Sequence, residues 1–210
     1  MHLIEGKRLL EKYGIPFVKG EIVRNENELN AALKKVGFPV AMKVISEQVL
    51  HKTDVGGVEL NIETQKEALL AYNKILRTVK FHVPNAVIDG IFVQKFLQGK
   101  QLIIGGKMDE QFGPTILFGL GGIFVEVMKD VSLRICPITR KDAKEMIKEI
   151  KGYKLLKGVR GEKAINFQKL ENILMKTNTL LLKEKIKELD INPLIANEKE
   201  VIAVDARVIK

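Results

Sequence analysis

Two short apolar runs, Val40–Ile45 and Val58–Ile62, bracket the segment Ser46-Glu47-Gln48-Val49-Leu50-His51-Lys52-Thr53-Asp54-Val55-Gly56-Gly57. Apolar runs of this length, bounded by polar residues and glycines, read as β-strands, so the segment is a loop joining two of them. Adjacent glycines let backbone N–H groups turn toward an anion with no side chain in the way. Histidine is one of the nucleophiles that can hold a phosphoryl group covalently. A cation, Lys43, stands inside the first run. The loop is therefore expected to handle phosphate.

The 210 residues suffice for one large domain or two lobes with a real core, and 46% hydrophobic with 29% charged residues excludes a disordered chain. The single cysteine, Cys136, forms no internal disulfide and fits a reducing cytoplasm. No apolar run reaches membrane-span length, and the opening Met1-His2-Leu3-Ile4-Glu5 lacks the pattern of a signal peptide, so a cytoplasmic protein is expected. The net charge of +9 comes from lysines interleaved with glutamates, as in Lys144-Glu145 and Lys183-Glu184-Lys185. Tryptophan is absent and no aromatic-plus-arginine platform is seen, so neither nucleic acid nor a membrane is expected as a partner.

Periodicity predicts helices over 2–13, after Asn25, over about 64–79, after Thr139 and over about 167–185. Glu28 and Asp142 stand three residues after Asn25 and Thr139, the spacing of a capping box. Further strands are predicted at 91–97, 102–108, 114–119, 131–135, 186–192 and 201–208. Helices and strands mix without regular βαβ alternation, so the class is α+β, in two lobes with a break between Pro84 and Gly90. The expected division is 1–88, containing the loop 46–58, and 89–210.

Several segments together resemble one family. They are Leu50-His51-Lys52-Thr53-Asp54-Val55-Gly56-Gly57-Val58, Phe112-Gly113-Pro114, Phe118-Gly119-Leu120-Gly121-Gly122-Ile123-Phe124-Val125-Glu126-Val127, Lys151-Gly152-Tyr153, Gly158-Val159-Arg160-Gly161 and Glu188-Leu189-Asp190-Ile191-Asn192-Pro193-Leu194. In this order they are similar to the β subunits and β domains of ADP-forming acyl-CoA synthetases, which have the ATP-grasp fold. The opening helix and Asn192-Pro193-Leu194 are also similar to the succinyl-CoA synthetase β chain. The resemblance implies a nucleotide bound between the two lobes and the reaction acyl-CoA + ADP + phosphate ⇌ carboxylic acid + ATP + CoA. It implies Mg²⁺, ATP or ADP as substrate, and an α subunit carrying the CoA-binding parts and a first phosphohistidine, in an α2β2 heterotetramer.

Each candidate has a plain reading beside the functional one. His51 alone is an exposed loop residue; the resemblance makes it the phosphohistidine relay, with Asp54, otherwise a turn former, orienting it or holding a metal. Lys43 alone is an outward lysine on an alternating strand; the resemblance makes it a phosphate contact, joined by Lys52, Gly56 and Gly57. Gln94, Lys95 and Phe96 match the hinge that meets adenine. The family usually has Glu where Lys95 stands, and Gly-x-Glu where this chain has Gly99-Lys100-Gln101, so Gln101 is the ribose acceptor without charge assistance. Asn192 and Asp205 are the implied metal ligands, against turn chemistry and a solvent-facing carboxylate. Asp190 is a weaker ligand candidate, and Arg207 faces the transferring phosphate or pairs with Asp205. A succinyl-CoA synthetase-type β chain and a non-catalytic nucleotide sensor are the competing readings.

Overall fold

The computed structural model describes residues 3–49, 51–122, 129–159 and 161–209. They form two compact units, one of residues 18–97 and the other of 3–17 with 98–209.

Residues 18–97 build an antiparallel four-stranded sheet in the order β1 (Gly20–Val23), β4 (Gly90–Lys95), β2 (Val40–Ile45), β3 (Val58–Ile62). Helices α2 (Glu26–Val36) and α3 (Gln65–His82) cover one face. Alternation sends Val40, Met42, Val44, Ile91 and Val93 into a core with Leu29, Leu33, Ala68, Ile75 and Val79. Asn25 caps α2 by accepting the Glu28 N–H at 3.0 Å. The expected return bond shifts one residue: the Glu28 carboxylate takes the N–H of Arg24 at 2.8 Å and not that of Asn25.

The other unit starts with α1 (Leu3–Lys12) and continues with β5 (Lys100–Asp109), β6 (Gly113–Leu120), β7 (Val131–Ile135), α4 (Arg140–Glu149), a one-turn helix α5 (Tyr153–Leu156), α6 (Phe167–Lys183), β8 (Glu188–Ala196), β9 (Val201–Ala203) and β10 (Arg207–Ile209). The sheet order is β10-β8-β5-β6-β7, with β9 also paired to β8. Leu102, Ile104, Ile116, Phe118, Leu120, Leu189 and Ile191 are buried on one face, and α4 and α6 contribute Ala143, Met146, Ile147, Leu170, Leu174 and Leu181 to the buried set. No helix among the described residues is long and apolar enough to cross a membrane.

This division differs from one at residue 88 for two reasons. β4 is hydrogen-bonded on both sides, to β1 and β2, so 90–95 belongs with the first sheet. α1 packs on β10, where Gly6 approaches so closely that an added Cβ would lie 2.8 Å from the Ala206 carbonyl oxygen.

The capping box of α4 is complete. The Asp142 N–H reaches Thr139 Oγ1 at 3.2 Å, and Asp142 Oδ2 accepts the Thr139 N–H and hydroxyl at 2.7 Å each. These donors, the backbone N–H first, hold the Asp142 carboxyl below the usual carboxylate range. A carboxyl depressed on folding stabilises above its unfolded pKa and ceases to as pH falls through the folded value. Asp142→Ala is therefore expected to lower the melting temperature at pH 7, with the gap to wild type closing on acidification. Thr139→Ala is expected to cost about 1 kcal/mol, measured by urea denaturation.

Candidate active site

In the 18–97 unit, the loop after β2 returns to β3 beside Lys43. Lys43 lies cross-strand between Val58 and Phe92 and is buried, 5% exposed. Val49 inserts into the helix-packed core. Gln48 Oε1 accepts from Ser46 Oγ at 3.1 Å and from the Val87 N–H at 3.3 Å. Those two anchors leave His51 and Asp54 exposed at the surface of a fixed turn. Neither anchor was singled out from sequence, although the apolar pair Val49-Leu50 within a mostly polar loop was an available signal. Leu50 lies outside the described residues.

The glycine pair does not act as the sequence suggests. The Gly56 N–H donates to Thr53 O at 3.1 Å and the Gly57 N–H to Lys52 O at 2.6 Å, so neither amide points at an anion. The reason is packing. Gly56 has φ +65°, and a Cβ there would meet Thr78 Cγ2 at 2.6 Å; one on Gly57 would meet Val44 Cγ1 at 2.7 Å. The glycines close the loop against β2 and α3, and the Gly57 carbonyl accepts the Val44 N–H at 2.8 Å. Their contribution is to shape the turn that presents His51.

The hinge residues are also partly committed within their own unit. The Lys95 N–H donates to Lys19 O at 3.1 Å and the Phe96 N–H to Pro39 O at 3.0 Å. Lys95 Nζ donates to the carbonyls of Gly37 at 3.2 Å and Phe38 at 2.5 Å. The lysine that replaces the family's usual glutamate thus serves as a cation at the C-terminal end of α2, where carbonyls gather. Its side chain is engaged by those two carbonyls. Lys95→Met is expected to destabilise the chain by about 1 kcal/mol, measured by urea denaturation, with nucleotide affinity unchanged. Gln94 is 3% exposed, and its Oε1 has no hydrogen-bond partner.

In the other unit, β8 does not end at Asn192. It continues to Ala196 and slips by one residue against β5 between Leu102 and Ile104, which leaves Asn192-Pro193 as a bulge. The expected strand 201–208 is split, and β9 and β10 pair with the two halves of β8 on either side of that bulge. Leu194 pairs with Ala203 and Asp190 with Arg207. The same register sets Asn192 opposite Asp205, and the Val204 N–H reaches Pro193 O at 3.0 Å. Asp190, Asn192, Asp205 and Arg207 therefore share the sheet face turned away from α4 and α6.

Burial, then the charges of Asp205 and Glu188, pushes the Asp190 carboxyl above the usual range, while Arg207 opposes the shift. Asp190 Oδ1 is buried without a hydrogen-bond partner. Among the described residues no group of three His, Cys, Asp or Glu side chains is arranged to hold a metal. Two facing oxygen donors and an orphaned carboxylate oxygen nevertheless fit Mg²⁺, which keeps several waters and bridges to phosphates. Gln101 is exposed on the same face of β5 as Gly105, whose cross-strand partner is Asp190. Gly121 donates its N–H to Gln101 O at 2.7 Å, and a Cβ on Gly122 would stand 3.1 Å from Gln101 Oε1. The glycine-rich motif makes room for that side chain; its continuation through Glu126 lies outside the described residues.

One other motif segment is structural. Asp130 is buried and accepts the N–H groups of Lys151 and Gly152 at 2.6 and 2.7 Å, which explains Lys151-Gly152-Tyr153. Arg134 pairs with Glu149 at 2.8 Å. Arg160 lies outside the described residues.

A family model described as an ATP-grasp domain matches residues 1–209. The chain is 46% identical over 207 residues to the acetate–CoA ligase [ADP-forming] I subunit β of Pyrococcus furiosus, covering 98% of this chain and 89% of that one. It spans 28 to 30% of several longer ligases that it also matches. A dinucleotide-forming acetyl-coenzyme A synthetase 1 from Ca. Korarchaeum cryptofilum, in complex with coenzyme A, Ca-AMPCP and HgCl+, superposes with a TM-score of 0.96 at 44% identity, covering 100% of this chain and 92% of that one. A second structure of that synthetase holds coenzyme A and Mg-AMPPCP, with its phosphohistidine segment pointing towards the nucleotide-binding site (TM-score 0.83, 40% identity, 98% and 90% covered). The chain belongs to the ATP-grasp family and, within it, to the β subunits and β domains of ADP-forming acetyl-CoA synthetases.

Proposed function

We propose that this chain is the nucleotide-binding β subunit of an ADP-forming acyl-CoA synthetase, an acid–thiol ligase, and that His51 relays phosphate to ADP. The observation that carries the reading is His51 itself, exposed on a turn that Val49, Gln48 and the glycine pair hold in place. The partner is an α subunit bearing the CoA-binding parts, in a cytoplasmic α2β2 assembly.

In the ATP-forming direction, the unprotonated ring nitrogen of neutral His51 forms a P–N bond as the phosphoryl group leaves its donor on the partner. A β-phosphate oxygen of ADP then forms the new P–O bond as the P–N bond breaks, which restores the imidazole. Asp54 orients the ring. Lys43, fixed in β2, supplies a positive charge for the phosphates, and Arg207 supplies another. Asn192 and Asp205 hold Mg²⁺, with Asp190 beside them. When bound, the ion offsets negative charge on the nucleotide phosphates. Gln101 accepts from the ribose. Dividing one long transfer into two short ones meets the need for in-line contact at each step.

The test is incubation of the purified chain with Mg²⁺ and ATP labelled at the γ-phosphate, with and without the α subunit. Acid-labile, base-stable label on wild type but not on His51→Ala supports the relay. Label that appears only with α present places completion of the site in the assembled complex. No label under either condition overturns the role of His51.

A further inference from the structure

β7 stands at one end of its sheet. It pairs with β6, and among the described residues no strand takes its other side. The Cys136 N–H donates to Pro114 O at 2.8 Å, so the hydrogen-bonded pairs with β6 fall on Ser132 and Arg134. The backbone groups of Val131, Leu133 and Ile135 therefore point outward. Their side chains share the face away from α4, since Ser132 turns to α4 and donates to Met146 O at 3.0 Å. Those three side chains are 36%, 56% and 51% exposed. Their neighbours across on β6 are Gly119, Leu117 and Thr115, so this face carries no charge at the edge.

Natural sheets guard open edges with charges or prolines, because unpaired N–H and C=O groups recruit another strand. β1, β3 and β10, the other strands at sheet ends, carry Glu21, Glu59 and Arg207. On β7 the one charge is Arg134, which lies on the α4 face and pairs with Glu149 at 2.8 Å. What fits this edge is legible in its own donors. The Val131 N–H is taken by Lys129 O at 3.0 Å, which leaves the outward N–H groups of Leu133 and Ile135. Antiparallel pairing of β7 with itself, on a two-fold axis at Leu133, sets Leu133 against Leu133 and Ile135 against Val131. The Leu133 N–H then meets the Leu133 carbonyl of the other copy, and the Ile135 N–H meets the Val131 carbonyl. The Leu133 carbonyl already accepts from Arg134 Nη1 at 2.8 Å and keeps a second lone pair. The apolar faces run on from one copy to the other, and both Arg134 side chains come to the axis already neutralised.

We infer that β7 is a docking edge for a second copy of this chain, joined antiparallel about Leu133 into one sheet across the two molecules. An isologous contact of this kind is the common route to a dimer. The inference does not depend on the phosphate relay or on the nucleotide. Three side chains a copy are few against the roughly 20–30 residues of a standard interface, so the dimer is expected to be weak and to dissociate on dilution.

The experiment has two arms. Sedimentation of the full chain without its α subunit is expected to show a concentration-dependent monomer–dimer equilibrium. Leu133→Glu sets two carboxylates against each other on the axis and is expected to weaken dimerisation at least tenfold. Its melting temperature is expected to match that of wild type at dilution, since the side chain is exposed. In the second arm, Leu133→Cys is oxidised in the complex with the α subunit. Residues paired at the axis stand about 5.5 Å apart at Cα, within disulfide reach, so a covalent dimer of this chain is expected. Ile135→Cys, whose two copies stand about 14 Å apart in this register, is expected to give none. Wild type, whose Cys136 is buried, is the control. A disulfide in Leu133→Cys alone supports the inference whether or not the free chain dimerises. No disulfide in Leu133→Cys, or an equal yield in Ile135→Cys, overturns it. Dimerisation undiminished in Leu133→Glu overturns it as well, and loss of α-subunit binding in that variant gives the edge to the other subunit instead.

Discussion

His51→Ala, assembled with its α subunit, is expected to form ATP from acyl-CoA, ADP and phosphate at roughly 10⁻⁴ of the wild-type rate or less. Loss of a covalent nucleophile commonly has an effect of this size, since the groups around it act as a unit with it. The side chain is exposed, and the turn's anchors are Val49 and Gln48. Stability should therefore stay within about 0.5 kcal/mol of wild type, as for other exposed substitutions. A coupled ATP assay and a urea melt on the same preparation separate the two effects. Turnover above about one hundredth of wild type would mean that phosphate passes to ADP by another route.

Asp205→Ala is expected to lower kcat/KM for ADP by roughly a hundredfold or more, the scale on which groups that neutralise phosphate charge act. Asn192, opposite it in register, would be left as a neutral ligand, and an Asn–Asp pair that brings a negative charge to the cation would become a single amide. Nucleotide binding measured by calorimetry should lose most of its dependence on added Mg²⁺. Wild-type Mg²⁺ dependence in Asp205→Ala would move the metal site elsewhere, with Asp190 the next group to replace.

The strands Val40–Ile45, Val58–Ile62 and Val131–Ile135 lie where periodicity sets them, because each is a short apolar or alternating run between clear breakers. Thr139 and Asp142 form the box their spacing predicts. Chain order near 90 was harder to read, since nothing local says that β4 is claimed by both β1 and β2. Proline at 193 reads as a stop, yet β8 takes it into a bulge and continues. Asp205 reads as a residue inside a strand, but it occupies the break between β9 and β10. Both departures come from pairing with distant segments. They also decide how the proposed metal ligands face each other, so the pair was legible as residue types and not as geometry. The glycine pair misled for a related reason. A sequence can show that amides are free to turn, but not which carbonyls, Thr53 and Lys52, will take them.

Because the Gly56 and Gly57 amides are satisfied by the loop's own carbonyls, the conformational entropy of that turn is lost once, when the chain folds. A loop of open amides would be ordered afresh at each arrival of phosphate, at roughly 1–2 kcal/mol per residue fixed. Here the hydrogen bonds from Gly56 and Gly57 form within the folded chain itself, so those two amides are spent on the turn rather than held open for an anion.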